Sequence, residues 1–495
     1  MKNIFLCSMV TLGVFFNSCT FNRLETPLEE SNFKLLSTNQ QILEFLDRAG
    51  DITPNIDYQI LDTTFNGKYI PIVKISNHSN EEKPSILFIG QQHGNEPSGK
   101  EGLLLLIKDF ANGKFAQWID KADLYIIPQA NPDGADLNHR RTSNQIDLNR
   151  DHLILKSIEA KAIQNIFHEL KPVVTVDFHE YYPYSSSWKD FGYYRDFDIQ
   201  FGGLTNINID SKVKNYFYEV FFPKVKEDVE QSGYSFFEYT LGNFALGERL
   251  RHSTVDINDG RQSFGICNTL SFIVEGKNGR DSIFEIERRA KSQYLTAKSI
   301  LKTSVLNIGE IDHIVKEARN KTKKSNQGEK ASIRMDHFQG NDTLRYPLKS
   351  VKTRKDTIFM AQEFHNDVKS RLDIDIPKAY LIPVSDTILV EWLKRSNFTF
   401  YKYDTNKKDQ IFRYKILNLH RSVDEELENY YPEVAYEKIN HEFLKEEYFA
   451  VPTHQFYKYK IVTALEPQAM YGIANYPYFE YLLFDDYFKI YRVEY

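Results

Sequence analysis

The segment SILFIGQQHGNEPSGKEGLLLL sets His93 and Glu96 three residues apart, in a turn between an apolar run and a run of helical period. A neutral imidazole and a carboxylate on one short loop can both reach a single Zn²⁺ at about 2 Å. Alone, this four-residue pattern is common surface polarity and carries little weight. A further donor, His179, ends the apolar run of KPVVTVDFHEYYP. Two His and one Glu leave a coordination position open, which is the arrangement of a catalytic rather than a structural metal. Asp177, two residues earlier, suits two roles equally: accepting a hydrogen bond from a ligand imidazole, or capping the strand end. The candidate metal set is therefore His93, Glu96 and His179, holding one Zn²⁺ per chain.

Between these donors lies PQANPDGADLNHRRTSNQIDLNRDH, dense in Asn, Asp and Arg directly after an apolar run. Arg grips a carboxylate through two parallel hydrogen bonds and Asn adds a neutral donor, so the block suits an anionic substrate end. A last element, CNTLSFIVEGKNGRD, delivers Glu275 from an apolar run into a polar turn. A strand-end Glu by itself is usually structural, and its meaning here comes from the other motifs. The chain has no Gly-x-Ser-x-Gly elbow, no phosphate-binding glycine loop and no His-Glu-x-x-His helix motif, which is consistent with hydrolysis by a metal-bound water and no covalent intermediate.

Taken in order, His-x-x-Glu, Asn-Pro-Asp-Gly, an Arg upstream of Asp-Leu-Asn-Arg, a strand-end His and a strand-end Glu resemble the zinc metallocarboxypeptidases of the carboxypeptidase A/B family. The likeness is nearer to the family's bacterial branches than to the pancreatic enzymes. It implies that His93, Glu96 and His179 bind zinc, that Glu275 is the catalytic carboxylate and that Arg140 polarises the scissile carbonyl. It also implies that Asn149 and Arg150 hold the terminal carboxylate of a peptide substrate. Arg141 competes with Arg140, which lies seven residues before Asp147 as in the bacterial pattern. Two other readings use the same residues: a zinc amidohydrolase that deacylates N-acyl amino acids, and a peptide-binding surface protein without catalysis. The sequence departs from the family at Asn95, which occupies the turn where an Arg often stands. The tyrosine that closes over substrate in pancreatic enzymes has no clear place, since counting back from Glu275 ends near Ser253.

These residues need strands and helices to hold them. Apolar β-rich runs alternate with helix-period runs over Ser85–Gly90, Pro97–Phe110, Asp123–Pro128, Leu153–Leu170, Val173–Phe178, Leu270–Glu275 and Ile283–Leu301. That alternation predicts an α/β fold: a mixed sheet with helices on both faces. In such sheets sites form where strands finish, which is where His93, His179 and Glu275 stand. Residues 36–310 are expected to form the zinc carboxypeptidase-like domain, and the polar, basic stretch near Arg319–Lys330 marks a linker at 311–331. Residues 332–495 carry short Tyr/Phe-rich runs and one helix around Asp386–Arg395, and are expected to form a smaller β-rich or α+β accessory domain. Its segments IPKAYLIPVSDTILVEWLKRS and EEYFAVPTHQ resemble the domain that follows the catalytic unit in some bacterial members.

Composition bounds the rest. With 495 residues, 41% hydrophobic and 26% charged, the chain is globular and long enough for two domains. A net charge of −6 provides no basic field for nucleic acid, so a peptide or small molecule is the expected partner. Met1-Lys2, the apolar Ile4–Phe16 and Asn17-Ser18-Cys19 read as a signal peptide over 1–19 with a lipobox-like Cys19, followed by an unstructured tether over 20–35. The apolar run is too short to span a bilayer, which takes about 20 residues, so a lipid on Cys19 is the one expected membrane link. The expected location is the cell envelope, as an exported bacterial lipoprotein on the periplasmic or outer-membrane face, with plain secretion as the alternative. Cys7 lies in the leader and Cys19 would be acylated. Cys267 is left without a disulfide partner in the mature chain.

Overall fold

The structure is a computed structural model describing residues 23–495, apart from residues 78, 80, 244, 245, 325, 342, 406, 407, 425, 426 and 445. The leader, with Cys7 and Cys19, lies outside the described residues. A mixed sheet of eight strands organises the first 300 residues: β1 (Ile56–Thr63), β2 (Tyr69–Ile75), β3 (Ser85–Gly90), β4 (Asp123–Ile127), β5 (Val174–Tyr181), β6 (Ile199–Gly202), β7 (Phe236–Glu238) and β8 (Leu270–Lys277). Their spatial order is β1-β2-β4-β3-β5-β8-β6-β7. The central β4, β3, β5 and β8 are parallel, whereas β1–β2, β2–β4 and β8–β6 pair antiparallel. Strands covered on both faces read as continuous Val, Ile, Leu and Phe runs, and every residue of β5 is buried. This is the α/β architecture that the alternating runs require.

Alternation along β5 sends successive side chains to opposite faces. Phe178 packs on Gly99 of the helix Ser98–Ala111, while Asp177 faces Gly260 at the start of the short helix Gly260–Gly265. Register then does the positioning. Gly90 of β3 pairs with Phe178, and Glu275 of β8 pairs with His179. The ends of three parallel strands thus bring the turn carrying His93, the His179 imidazole and the Glu275 carboxyl to one edge of the sheet.

Two segments differ from the sequence expectation. The described part of the supposed tether folds onto the body: Thr26 and Glu29 form a capping box for the turn Pro27–Glu30, and Leu24 and Leu28 are buried. Burial of those two leucines, with Lys108 Nζ donating to Glu29 Oε1 at 2.5 Å, outweighs the polar composition. Most of the supposed linker is the helix Ile308–Thr322. Ile311, Val315 and Ala318 form a buried stripe at helical spacing. Arg319 is not solvated either, because its guanidinium donates to the carbonyls of Cys267, Lys171 and Pro172.

The C-terminal region is β-rich, with a six-stranded antiparallel sheet in the order Tyr401–Lys402, Tyr448–Pro452, Ala379–Pro383, Tyr491–Glu494, Gln410–Asp424, Leu427–Ile439. The helix Thr387–Arg395 follows Asp386, whose side chain accepts from Leu389 N. This region is knitted to the first. Leu344–Ser350 pairs with Tyr193–Tyr194, Phe364–His365 pairs with Leu250–His252, and Trp392 Nε1 donates to the Leu153 carbonyl at 2.9 Å. One hydrophobic cluster runs from Leu24 to Ile490. Cys267 is buried and free. Among the described residues no helix is long and apolar enough to cross a membrane.

Candidate active site

After β3 ends at Gly90, the chain turns sharply through Gln91, which sits at φ 50°. Gly94 lets this turn lie against the Asn131–Gly134 segment: a Cβ there would come within 2.0 Å of the Gly134 backbone, so only glycine fits. Asn131 ties the two segments together by donating to the Gln92 carbonyl and accepting from Gly134 N. The result is a fixed loop that aims His93 and Glu96 inward. Both are buried, as is His179.

The donors converge. Glu96 Oε1 lies 2.9 Å from His93 Nδ1, Glu96 Oε2 lies 3.0 Å from His179 Nδ1, and the two Nδ1 atoms are 3.1 Å apart. A tetrahedral ion with ligands at about 2.0–2.1 Å requires donor separations of about 3.3 Å, close to this triangle. Among the described residues, this is the group of histidine and acidic side chains whose donor atoms could share one ion. Each imidazole turns Nδ1 to the shared point and Nε2 to a carboxylate: His93 to Asp147 Oδ1 at 3.2 Å and His179 to Asp177 Oδ2 at 2.9 Å. Such outer carboxylates fix the ring and raise its basicity. The surroundings favour a cation. Burial pushes His179 down, yet Asp177 and Glu96 reverse this and hold it well above the ordinary imidazole range. Burial pushes Glu96 up, and the two imidazoles more than offset that and hold it below the usual carboxylate range. The residues therefore fit a divalent N/O-ligated metal.

Asp177 is also held from behind. Gln92 Nε2 donates to it at 2.6 Å, His152 Nε2 contacts Gln92 Oε1 at 2.7 Å, and Gln164 Nε2 meets His152 Nδ1 at 3.0 Å. Burial pushes His152 down to about 3, so it is neutral and donates through Nε2. Lys460, from the C-terminal region, closes the chain by donating to Gln164 Oε1 and the His152 carbonyl. The orienting role for Asp177 is the one this geometry favours over a strand-end cap.

Around the donors opens a cleft of about 710 Å³. Glu275 lines it, and burial pushes its carboxyl up to about 7, against the pull of His179. Arg140 donates from Nε to Asp147 Oδ2 at 2.8 Å and places Nη1 3.5 Å from Glu96 Oε1. Arg141 instead donates to the Gln145 carbonyl, so Arg140 is the arginine that faces the metal ligands. Asn149 Oδ1 accepts from Gly260 N at 2.8 Å, leaving its amide NH₂ toward His179. Arg150 lines the same cleft and donates to its neighbour's carbonyl. All seven sequence-derived site residues thus surround one cavity. Three further cleft residues escape sequence reading: Tyr239, Arg195 and Arg261. Tyr239 lies 14 residues before the Ser253 position reached by counting from Glu275, on a segment with no motif to mark it. Arg261 follows Asp-Gly at a helix start, a pattern that reads as an ordinary cap.

Residues 42–197 match the family model described as zinc carboxypeptidase, a span that includes all the site residues above except those after Arg195. Carboxypeptidase 2 of Trichophyton rubrum is 31% identical over 259 residues, covering 50% of this chain and 47% of that protein. A probable carboxypeptidase 2 of Trichophyton verrucosum is 28% identical over 368 residues, 68% of this chain and 70% of its own length. Over the 259-residue matches the chain spans about half the length of the curated relatives. A metallo-carboxypeptidase structure from Burkholderia cenocepacia aligns at 16% identity and a TM-score of 0.43, covering 56% of this chain and 70% of that one. Zinc carboxypeptidase is thus the family supported for the part of the chain that builds the metal site. The relatives named are fungal, so a narrower placement among bacterial branches does not come from them.

Proposed function

We propose that this protein is a zinc-dependent carboxypeptidase that releases C-terminal residues from peptides. The observation that carries the reading is the convergence of His93 Nδ1, His179 Nδ1 and the Glu96 carboxylate within about 3 Å of one another, beside Glu275, Arg140 and Arg150 in one cleft. His93, Glu96 and His179 would hold Zn²⁺, which when bound would supply a Lewis acid for the peptide carbonyl and for a water. Glu275 takes a proton from the attacking water and returns it to the leaving amine nitrogen. Its carboxyl, pushed up to about 7 by burial, is suited to both transfers near neutral pH. Arg140 projects Nη1 over the ligand triangle, where it donates to the oxygen that gains charge as the carbonyl is attacked. Arg150 and the NH₂ of Asn149 bind the free carboxylate at the end of the chain, which selects terminal over internal bonds.

The test compares one peptide with a free C-terminal carboxylate and the same peptide amidated, alongside an N-acyl amino acid. The free peptide is expected to be cleaved at least 100-fold faster than the amide, because the amide leaves Arg150 without its charged partner (order of magnitude from). Exclusive action on the N-acyl amino acid would replace this reading with a deacylase.

We further propose that the protein is exported and anchored in a bacterial cell envelope through a lipid on Cys19, which suits nutrient or cell-wall peptides as substrates. The support is the leader pattern and its Cys alone. Palmitate labelling of the full chain, lost in Cys19→Ser, is the expected result, and equal labelling of both would remove the anchor.

A further inference from the structure

Arg261 is the least satisfied charged group in the described part of the molecule's cleft. Its side chain is 1% exposed, yet it lines the cavity. Nη2 donates to Asp259 Oδ2 and to Thr254 Oγ1, both at 3.2 Å, while Nε and Nη1 have no partner. A guanidinium stays charged at any physiological pH. Leaving two of its donors dry costs free energy, unless a ligand completes them. Asp259 cannot do so, because its carboxylate also accepts from Gln262 N at 2.5 Å and from Thr254 Oγ1 at 2.9 Å, fixing it as a helix cap. Of the other carboxylates on the wall, Asp147 is committed to Arg140 and His93, Glu180 to Arg289 at 2.9 Å and Glu96 to the two imidazoles, and Glu275 makes no hydrogen bond to Arg261 Nε or Nη1.

The position of Arg261 says which part of a substrate would meet it. Gly260, its neighbour, donates to Asn149 Oδ1, so Arg261 is mounted on the segment that supports the binding site for the chain end. Its guanidinium lies 5.7 Å from the centre of the Tyr239 ring. Ile273, two residues before Glu275 on β8, and Leu241 line the same cleft and are its aliphatic members. Beside them, Gln200 pairs with Glu275 across β6–β8 and is fully buried with both amide atoms unpartnered. An aliphatic wall beside a cationic, hydrogen-bond-hungry end matches a short hydrocarbon stem that terminates in a carboxylate.

We propose that the cleft selects peptides whose C-terminal residue carries an acidic side chain, glutamate above all, with Arg261 Nε and Nη1 donating to the side-chain carboxylate. This inference rests on the carboxypeptidase reading and adds the substrate class to it. A site built to complete such hydrogen bonds rejects an analogue that lacks the partner far more strongly than a hydrophobic pocket rejects a missing methylene.

The experiment uses the full zinc-loaded chain and peptides identical except for a last residue of Glu, Gln, Asp, Leu or Lys. Values of kcat/KM are measured for each, and affinities for the Glu and Gln peptides are measured on Glu275→Gln protein. Cleavage of the Glu peptide is expected at least 10-fold faster than Gln, with Lys slowest, and the binding ratio should follow (order of magnitude from). Arg261→Gln should bring the Glu/Gln ratio within about twofold of one, and Arg261→Lys should keep a partial preference. Equal rates for Glu and Gln with the wild type would overturn the acidic pocket while leaving the carboxypeptidase intact. So would an Arg261→Gln variant that slows every peptide alike, since Arg261 would then serve the main-chain carboxylate or the fold. Should no peptide be cleaved while Glu still binds more tightly than Gln, the carboxypeptidase reading falls and the acidic pocket stands.

Discussion

Replacing Glu275 by Gln keeps the size of the side chain and removes its proton acceptor, while His93, Glu96 and His179 are untouched. Zinc content is therefore expected to stay at one per chain and kcat to fall by about 10³-fold, the usual scale for losing a general base. His179→Ala removes a donor and should lose the metal as well as the activity, as read by metal analysis after dialysis. Activity near wild type in Glu275→Gln would show the base to be elsewhere. At this scale the sequence was informative because the motif residues sit at strand ends, where register fixes them: His179 and Glu275 are a paired row of β5 and β8. Tyr239 and Arg261 were not legible for the opposite reason. Tyr239 lies just beyond a three-residue edge strand and Arg261 in a helix of six residues, and only tertiary packing turns them toward the cleft.

Among the elements, the helix Ile158–Leu170 starts at Ser157, whose hydroxyl accepts from Ala160 N, and buries Glu159 in its first turn. Burial pushes that carboxyl up to about 7 from 4.5. An acid whose folded pKa is raised binds more protons folded than unfolded, so its contribution to stability is present below pH 4.5 and is lost as pH rises through 7. Wild-type protein is expected to lose up to about 3 kcal/mol of stability from this group between pH 5 and pH 8 (1.36 kcal/mol per pKa unit). Glu159→Gln should lose none of it, so the stability gap between the two proteins in urea unfolding should favour the variant more at pH 8 than at pH 5. A gap that does not change with pH would refute the shift. The elements at the two ends of the region that carries the eight-stranded sheet, Pro27–Glu30 and Ile308–Thr322, were misread from composition. Sparse apolar residues such as Leu28, Ile311 and Val315 decide helix and burial when they fall on one stripe, however polar their neighbours are.

At the scale of the whole molecule, the two regions share a core instead of meeting across a bare linker. Lys460 reaches from the C-terminal region into the hydrogen-bond chain behind Asp177, and burial pushes its amine down to about 8. A chain ending at residue 331 would strip the cover from Leu153, the Tyr193–Tyr194 edge and His152. It is expected to be insoluble or to bind zinc poorly, whereas a soluble, fully active fragment would show the regions to be independent. The α/β alternation and the β-rich C-terminal region were readable from hydrophobic period, while the pairing of strands between regions was not, because partners such as Tyr194 and Lys349 are far apart in sequence. The most direct test of the function is mass spectrometry of one peptide incubated with metal-free protein, with and without one equivalent of Zn²⁺. Stepwise loss of single C-terminal residues only when zinc is added is the expected result, and an intact peptide, internal fragments, or a ladder indifferent to zinc would contradict it.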